Sequence, residues 1–180
     1  MEDISLHILD IAENSIGAEA TLITISISED TVKDLFLVEI EDNGRGIPED
    51  MRSNVLDPFC TTRTTRKVGL GLSLLAQAAR ETGGDISVRP ASTSGTIVDA
   101  TFRKSHIDMK PLGNISETLV VLIAGNPQID FIFTYKKNGT AFSLDTQQIK
   151  NELDGVPINS SEVLSFLRDY IGASLRDIIN

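Results

Sequence analysis

The stretch Asp-Asn-Gly-Arg-Gly-Ile-Pro, residues 42–48, sets the expectations for the whole chain. It follows residues 35–41, where apolar residues cluster and then alternate with acids, as in a strand with one covered face. A carboxylate at the strand exit and two glycines spaced by one residue let a backbone approach a ligand closely. The same pattern also forms an ordinary turn in most proteins. A turn and a ligand site are therefore the two interpretations that the other segments must decide between.

Bulk composition narrows the class of protein. The 180 residues suit one domain of ordinary size, alone or with a small appendage. Hydrophobic content of 41% and charged content of 23% are typical of a globular protein. A net charge of −10 disfavours binding to nucleic acid or to an anionic membrane. A single Cys, no apolar run of membrane-spanning length and no signal peptide lead us to expect a cytoplasmic protein.

Residues 3–18 are predicted to form an amphipathic helix. Its aliphatic residues gather on one side, and a polar stripe carries Asp3, His7, Asp10, Asn14 and Gly17. Such a stripe is ordinarily a solvated face. Here an Asp one turn before an Asn also makes a column of oxygen atoms, and a hard cation such as Mg²⁺ takes oxygen ligands.

Five segments follow one another in a recognisable order over residues 1–103. They are Asp-Ile-Ala-Glu-Asn-Ser-Ile-Gly-Ala at 10–18, the stretch at 42–46, Asp-Pro-Phe-Cys-Thr-Thr-Arg at 57–63, Val-Gly-Leu-Gly-Leu-Ser-Leu-Leu at 68–75 and Gly-Thr-Ile-Val-Asp-Ala-Thr at 95–101. In this order they resemble the N, G1, phenylalanine, G2 and last glycine boxes of the GHKL superfamily. That superfamily includes gyrase-type topoisomerases, heat-shock chaperones, mismatch-repair ATPases and histidine kinases. The resemblance implies a two-layer α/β (α+β) sandwich of the Bergerat type with a mixed sheet.

The resemblance also implies a ligand, ATP or ADP with Mg²⁺, lying between the first helix and the sheet. Asp42 would accept a hydrogen from the N6 amino group of adenine, and Thr96 would support the same edge through water. Guanine would present an oxygen there, so two acceptors would face each other. Asn14 would hold Mg²⁺ against the phosphates. The complete implied set is Asn14, Asp42, Gly44, Gly46, Ile47, Phe59, Thr62, Arg63, Arg66, Lys67, Gly69, Leu70, Gly71, Leu72 and Thr96.

Residues 49–68 would form a lid over the nucleotide. Arg63, Arg66 and Lys67 place three cations within a short span of an acidic domain, which suits a phosphate clamp. The plain alternative is a solvated basic turn. Val55 and Leu56 are expected, with Phe59, to anchor the lid against the body of the domain.

One departure from the family pattern bears on catalysis. Members that hydrolyse ATP place Glu four residues before the Mg²⁺-binding Asn, and this chain has Asp10 there. Asp10 could act as a general base, but its carboxylate is shorter by one methylene and lies farther from an attacking water. ATP binding is therefore a firmer expectation than ATP hydrolysis. A second departure is that Lys67 and Val68 replace the usual Gly-Thr before the G2 glycines.

Residues 104–180 are predicted to be a small α+β appendage that a protein partner or a second copy could use for docking. Lys-Lys-Asn-Gly at 136–139 is a hairpin signal, Asp145 can cap a helix, and Asn159 with Glu162 forms a capping-box pattern for a final helix. His106 shares the spacing to Pro and Leu of the histidine-kinase phosphoacceptor box, but Ile107 replaces the acid that normally follows. A linker histidine is the default interpretation, and autophosphorylation is the alternative.

Three functions follow from these observations. The first is a regulatory ATP-binding protein in which the nucleotide orders the lid and so changes what a partner binds. The second is a protein kinase that transfers the γ-phosphate to His or Ser of a partner. The third is a slow ATPase driving a conformational cycle, which the Asp10 substitution makes the weakest of the three.

Overall fold

A computed structural model of the chain describes residues 2–52, 54–57 and 70–180. The helices within these residues are α1 (Ile4–Gly17), α2 (Glu49–Arg52), α3 (Leu70–Glu81), α4 (Ile115–Gly125), α5 (Thr146–Glu152) and α6 (Ser161–Ile179). The strands are β1 (Leu22–Asp30), β2 (Leu35–Asp42), β3 (Ile86–Pro90), β4 (Thr96–Arg103), β5 (Asp130–Lys137) and β6 (Thr140–Asp145). None of the described helices is both long enough and apolar enough to span a bilayer.

The described strands form one six-stranded mixed sheet in the order β3-β4-β2-β1-β5-β6. Neighbouring strands are antiparallel except for β1 and β5, which pair in parallel from Leu22 opposite Asp130 onwards. Burial alternates strictly along β1 and β2, as expected for strands with one covered face. The mixed sheet with helices confirms the predicted fold class.

One hydrophobic core lies between the sheet and the helices. It contains aliphatic residues of α1 and β1, such as Ile8 and Ile25, together with Phe133 of β5 and Ile171 of α6. Because β5 and β6 extend the sheet of residues 1–103, the sheet and its core cross the expected boundary at residue 103. The division of the chain into a domain and an appendage stays a prediction about how these parts fold.

Local signals identified most helix and strand ends. Asp3 caps α1 by accepting from Leu6 N–H at 3.0 Å, and Asp145 caps α5 by accepting from Gln147 N–H at 2.9 Å. Asn138 and Gly139 both have positive φ, as a two-residue hairpin turn requires. The capping box predicted at Asn159 is wrong, because α6 begins one residue later with Ser160 as its N-cap and no side-chain cap bond.

Candidate nucleotide-binding site

Asp42 lies at the end of β2 with only 6% of its surface exposed. Its Oδ2 accepts a hydrogen bond from Ser15 Oγ of α1 at 2.7 Å. Its Oδ1 accepts from Gly44 N–H at 2.9 Å and from Thr96 N–H at 3.3 Å. Since an ionised carboxylate can only accept, these donors fix the orientation of Asp42 where α1, β2 and β4 meet.

The turn after Asp42 is packed tightly against two other backbone segments. A Cβ on Gly44 would lie 2.7 Å from the carbonyl oxygen of Ala18, just after α1. Gly95 has φ +106°, and a Cβ there would lie 1.8 Å from the carbonyl oxygen of Asp42. Ser94 Oγ also donates to the Gly44 carbonyl oxygen at 2.6 Å. Close contacts within the protein therefore already explain why glycine stands at positions 44 and 95.

Asn43 pins the same turn to the start of β1. Its Oδ1 accepts from the N–H groups of Thr21 and Leu22, both at 2.9 Å, and its Nδ2 donates to Thr21 Oγ1 at 2.9 Å. Sequence reasoning assigned roles to neither Asn43 nor Ser15. Ser15 had a recognisable signal, because at 100° per residue its hydroxyl falls in the middle of the aliphatic side of α1.

Asp10 lies against the first turn of α3. A Cβ on Gly71 would come within 1.7 Å of Asp10 Oδ2, so glycine at position 71 makes room for this carboxylate. A carboxylate at this place is favourable, because the N-terminal end of a helix carries a partial positive charge. The resemblance assigned that end of α3 to phosphate, and the structure puts the side chain of Asp10 beside it.

Asn14 follows Asp10 by one turn on the same side of α1 and is half-buried. Mg²⁺ prefers oxygen ligands and binds through few protein groups, keeping waters or phosphate oxygens for the rest. The described residues contain no group of three His, Cys, Asp or Glu side chains placed to hold a metal ion. An amide oxygen one helical turn from a carboxylate suits an Mg²⁺ ion that keeps waters or phosphate oxygens as its other ligands.

His7 belongs to the polar stripe predicted from the sequence but is not solvated. It is 2% exposed, and neither ring nitrogen has a hydrogen-bond partner among the described residues. Burial lowers the pKa of His7 below its usual 6.5, and Lys110 adds to this effect. The side chain is therefore a neutral imidazole held inside the protein at neutral pH.

His106 lies in a turn at the other end of the sheet. Its Nδ1 accepts from Asp108 N–H at 3.2 Å. The preceding strand β4 ends with Arg103 opposite Leu35, at the start of β2, whereas Asp42 ends β2. The seven steps between Leu35 and Asp42 span roughly 24 Å at about 3.4 Å per residue. Phosphorylation of His106 stays a prediction.

The remaining predicted residues divide into two groups. Ile47 accepts from Arg52 Nε through its carbonyl oxygen at 3.0 Å, and Leu56 and Leu72 pack against the core. Leu70 is 50% exposed. Other members of the predicted set lie outside the described residues, namely Phe59, Thr62, Arg63, Arg66, Lys67 and Gly69.

A groove of about 730 Å³ lies on the outer side of α3, lined by residues that include Leu56, Leu74 and Arg80. It contains none of Asp10, Asn14, Asp42 or Thr96. This groove is therefore separate from the site around Asp42.

Relatives with known names match parts of the chain. The sensory histidine kinase/phosphatase NtrB of Azospirillum brasilense is 50% identical over 50 residues, which are 28% of this chain and 12% of the relative. The nitrogen regulation protein NtrY of Azorhizobium caulinodans is 36% identical over 67 residues, which are 37% of this chain and 9% of the relative. The chain thus covers about a tenth of the length of these relatives.

Solved structures share the fold over most of the chain. The MutL ATPase domain of Aquifex aeolicus, complexed with ADP, has a TM-score of 0.56 at 16% identity and covers 86% of this chain and 68% of its own. The N-terminal domain of a DNA repair protein has a TM-score of 0.60 at 18% identity, covering 81% and 53%. A family model for the histidine kinase-, DNA gyrase B- and HSP90-like ATPases matches residues 2–106. The chain belongs to this family, which is the GHKL superfamily that its sequence motifs resemble.

Proposed function

We propose that the protein binds ATP with Mg²⁺ between α1 and the sheet and acts as a regulatory or signalling component. The observation that carries the proposal is the buried carboxylate of Asp42, held by donors from Ser15, Gly44 and Thr96. A carboxylate fixed in this way can accept a hydrogen bond from the N6 amino group of adenine without a free-energy cost for reorienting the side chain. Guanine would bring an oxygen acceptor to the same place and is disfavoured.

Asn14 and Asp10 are the proposed contacts on the phosphate side. Asn14 would hold Mg²⁺, which when bound neutralises charge on the phosphate oxygens. Asp10 beside Gly71 limits how many anionic groups the first turn of α3 can accept. Binding of a triphosphate there is expected to need Mg²⁺, because the carboxylate and the phosphates would otherwise repel each other.

The regulatory part of the proposal concerns residues 49–68. Arg63, Arg66 and Lys67 supply cations for phosphate contacts, and Leu56 already packs against the core beside α3. We propose that the bound nucleotide orders this segment and that a protein partner responds to it. A cytoplasmic location is part of this proposal, because ATP and a reduced thiol are both normal in that compartment.

The test of the nucleotide site is calorimetry with Mg-ATP, ADP and GTP. Asp42→Asn places an amide where only acceptors are wanted, so ATP affinity should fall by about 1–3 kcal/mol, roughly 5- to 150-fold. Glu41→Gln is the matched control, since it removes the same charge one residue earlier on the opposite face of β2. It should leave affinity unchanged.

Three results would count against the site. They are an absence of ATP binding by the parent protein, equal affinity for GTP, and equal losses in the Asp42 and Glu41 variants.

A protein kinase is the second candidate, and the similarity to sensory histidine kinases such as NtrB favours it. Incubation with γ-labelled ATP distinguishes three activities: regulatory binding, phosphoryl transfer to a protein and slow hydrolysis. Label on a protein indicates transfer, free labelled phosphate indicates hydrolysis, and neither indicates binding alone. Asp10 is the candidate general base for hydrolysis in that comparison.

A further inference from the structure

The two edges of the described sheet differ in how they are protected. One edge is β3, which carries Arg89 and ends in Pro90. Charged residues and proline on an edge strand hinder the addition of a further strand. The other edge is β6, Thr-Ala-Phe-Ser-Leu-Asp, with its one charged residue, Asp145, at the end. Edge β6 therefore lacks these protective features.

The hairpin geometry shows which backbone groups of β6 point outwards. In a hairpin with a two-residue turn, the pair flanking the turn is hydrogen-bonded, and such pairs then alternate along the strands. Here that pair is Lys137 and Thr140, so Phe142 and Leu144 also bond to β5. The N–H and C=O groups of Ala141 and Ser143 face away from the sheet. The structure records no backbone partner for them among the described residues.

An exposed aromatic pair on α6 stands beside this edge. Phe166 is 65% exposed and Tyr170 is 45% exposed. Their rings stack with centroids 5.8 Å apart and planes 5° from parallel, and Tyr170 meets Phe142 of β6 edge-on at 5.6 Å. Because α4 packs on the opposite side of α6, through Glu117 and Arg168, the aromatic pair projects over the free edge.

The cations of α6 are directed toward α4. On the α4 side, Arg168 Nε donates to Glu117 Oε2 at 2.6 Å, and Arg176 Nη1 lies next to Gly172, which itself faces Ser116 of α4. Glu162 and Asp177 are exposed acids on the side of the aromatic pair, four residues from Phe166 and seven residues from Tyr170 respectively. Neither acid forms an ion pair within the described residues, whereas Asp169 lies close to Arg168.

This charge pattern selects the kind of occupant. A two-fold contact between copies of the chain would bring the same acids together on both sides, in a protein whose net charge is already −10. A basic segment would instead complement them. We propose that edge β6 and the Phe166–Tyr170 pair bind an extended, positively charged segment of a partner protein as a seventh strand. Alternate apolar residues of that segment pack against the two rings.

The test uses the full chain without nucleotide, so that it does not depend on the ATP site. The probe is a fluorescent octapeptide of alternating Lys and Val with blocked ends, and binding is followed by anisotropy. Ser143→Pro removes an outward N–H without breaking a bond to β5, and it should weaken binding at least about tenfold. Phe166→Ser should do the same. Val121→Ser, an exposed aliphatic residue of α4, is the matched control and should leave binding unchanged.

Probe variants keep the test decisive even if a protein variant fails to fold. A peptide N-methylated at alternate residues cannot donate to the edge and should bind at least tenfold more weakly. A Glu/Val peptide should not bind, and a peptide with its Lys and Val residues in separate blocks should bind weakly. The proposal would be overturned if the alternating peptide did not bind. It would also be overturned if the peptide with its Lys and Val residues in separate blocks bound equally well. A dimer of the parent, seen by light scattering, that Phe166→Ser converts to a monomer would overturn it as well.

Discussion

His7 is a single buried side chain whose protonation is expected to make the free energy of unfolding depend on pH. It is enclosed on α1 without a hydrogen-bond partner among the described residues, and burial is the main reason that its pKa is lowered. Among the described residues, Lys110 also lowers the pKa of His7, whereas Asp10 and Asp3 raise it. Protonation would place a cation where nothing solvates it.

We therefore expect His7 to destabilise the protein in mild acid. Its unfolded pKa is near 6.5 and its folded pKa is lower, so the unfolded state binds more protons below pH 6.5. The contribution of neutral His7 to the free energy of unfolding is fully present above pH 6.5. It is lost as the pH falls, with a slope of at most about 1.4 kcal/mol per pH unit. Urea unfolding at pH 7.5, 6.5 and 5.5 should show a shallower dependence in His7→Leu. The same pH dependence in both proteins would contradict this.

At the scale of elements, α1 and α3 are coupled through Gly71. An alanine there would normally favour a helix by up to about 1 kcal/mol. Its Cβ would, however, meet Asp10 Oδ2 at 1.7 Å and displace the carboxylate from the first turn of α3. We expect Gly71→Ala to be neutral or destabilising in the parent protein and stabilising in an Asp10→Ala background.

A double-mutant cycle of unfolding free energies measures this coupling. The four proteins are the parent, the two single variants and the double variant, all at neutral pH. A coupling of about 0.5 kcal/mol or more is expected for groups in direct contact. Additive effects would mean that Asp10 moves aside at no cost and that the contact has no energetic weight.

Most helices and strands of the described residues could be predicted from the sequence, whereas some of their capping and buried polar residues could not. Periodicity and turn residues located the described elements of the chain, and the motif order located Asp42 beside α1. The N-cap of α6 was missed because Asn159 and Ser160 are both good capping residues, so the local sequence does not choose between them. Ser15 was missed because a small hydroxyl in a helix has many ordinary roles.

At the scale of the molecule, the parallel pairing of β1 with β5 could not be predicted locally. Leu22 and Asp130 are opposite each other although more than a hundred residues separate them in the chain. Antiparallel hairpins have a turn signal between their strands, whereas such a distant parallel pair has none. The C-terminal strands therefore looked like a separate module, although they extend the same sheet.

Glu29 joins the two parts of the chain. This residue of β1 is 4% exposed and accepts from Tyr135 OH of β5 at 2.9 Å, and its ion pair with Lys104 Nζ is also 2.9 Å long. Lys137 Nζ lies 4.0 Å from Glu29 and donates to the carbonyl oxygen of Ile179 at the end of α6. Burial by itself would raise the pKa of Glu29, but hydrogen bonds from Lys104 and Tyr135 outweigh it, so the pKa is below 4.5.

These contacts predict that the protein unfolds in one cooperative transition and that Glu29→Gln shifts all of it. The free energy of unfolding should fall by about 1–3 kcal/mol in Glu29→Gln. This is less than for a fully buried ion pair, because Lys104 is partly exposed. Since the folded pKa is lowered, this stability is present above about pH 4.5 and disappears in stronger acid. Glu13→Gln, at an exposed position of α1, is the control. Calorimetric scans with two separate transitions, only one of them moved by Glu29→Gln, would instead make residues 104–180 an independent folding unit.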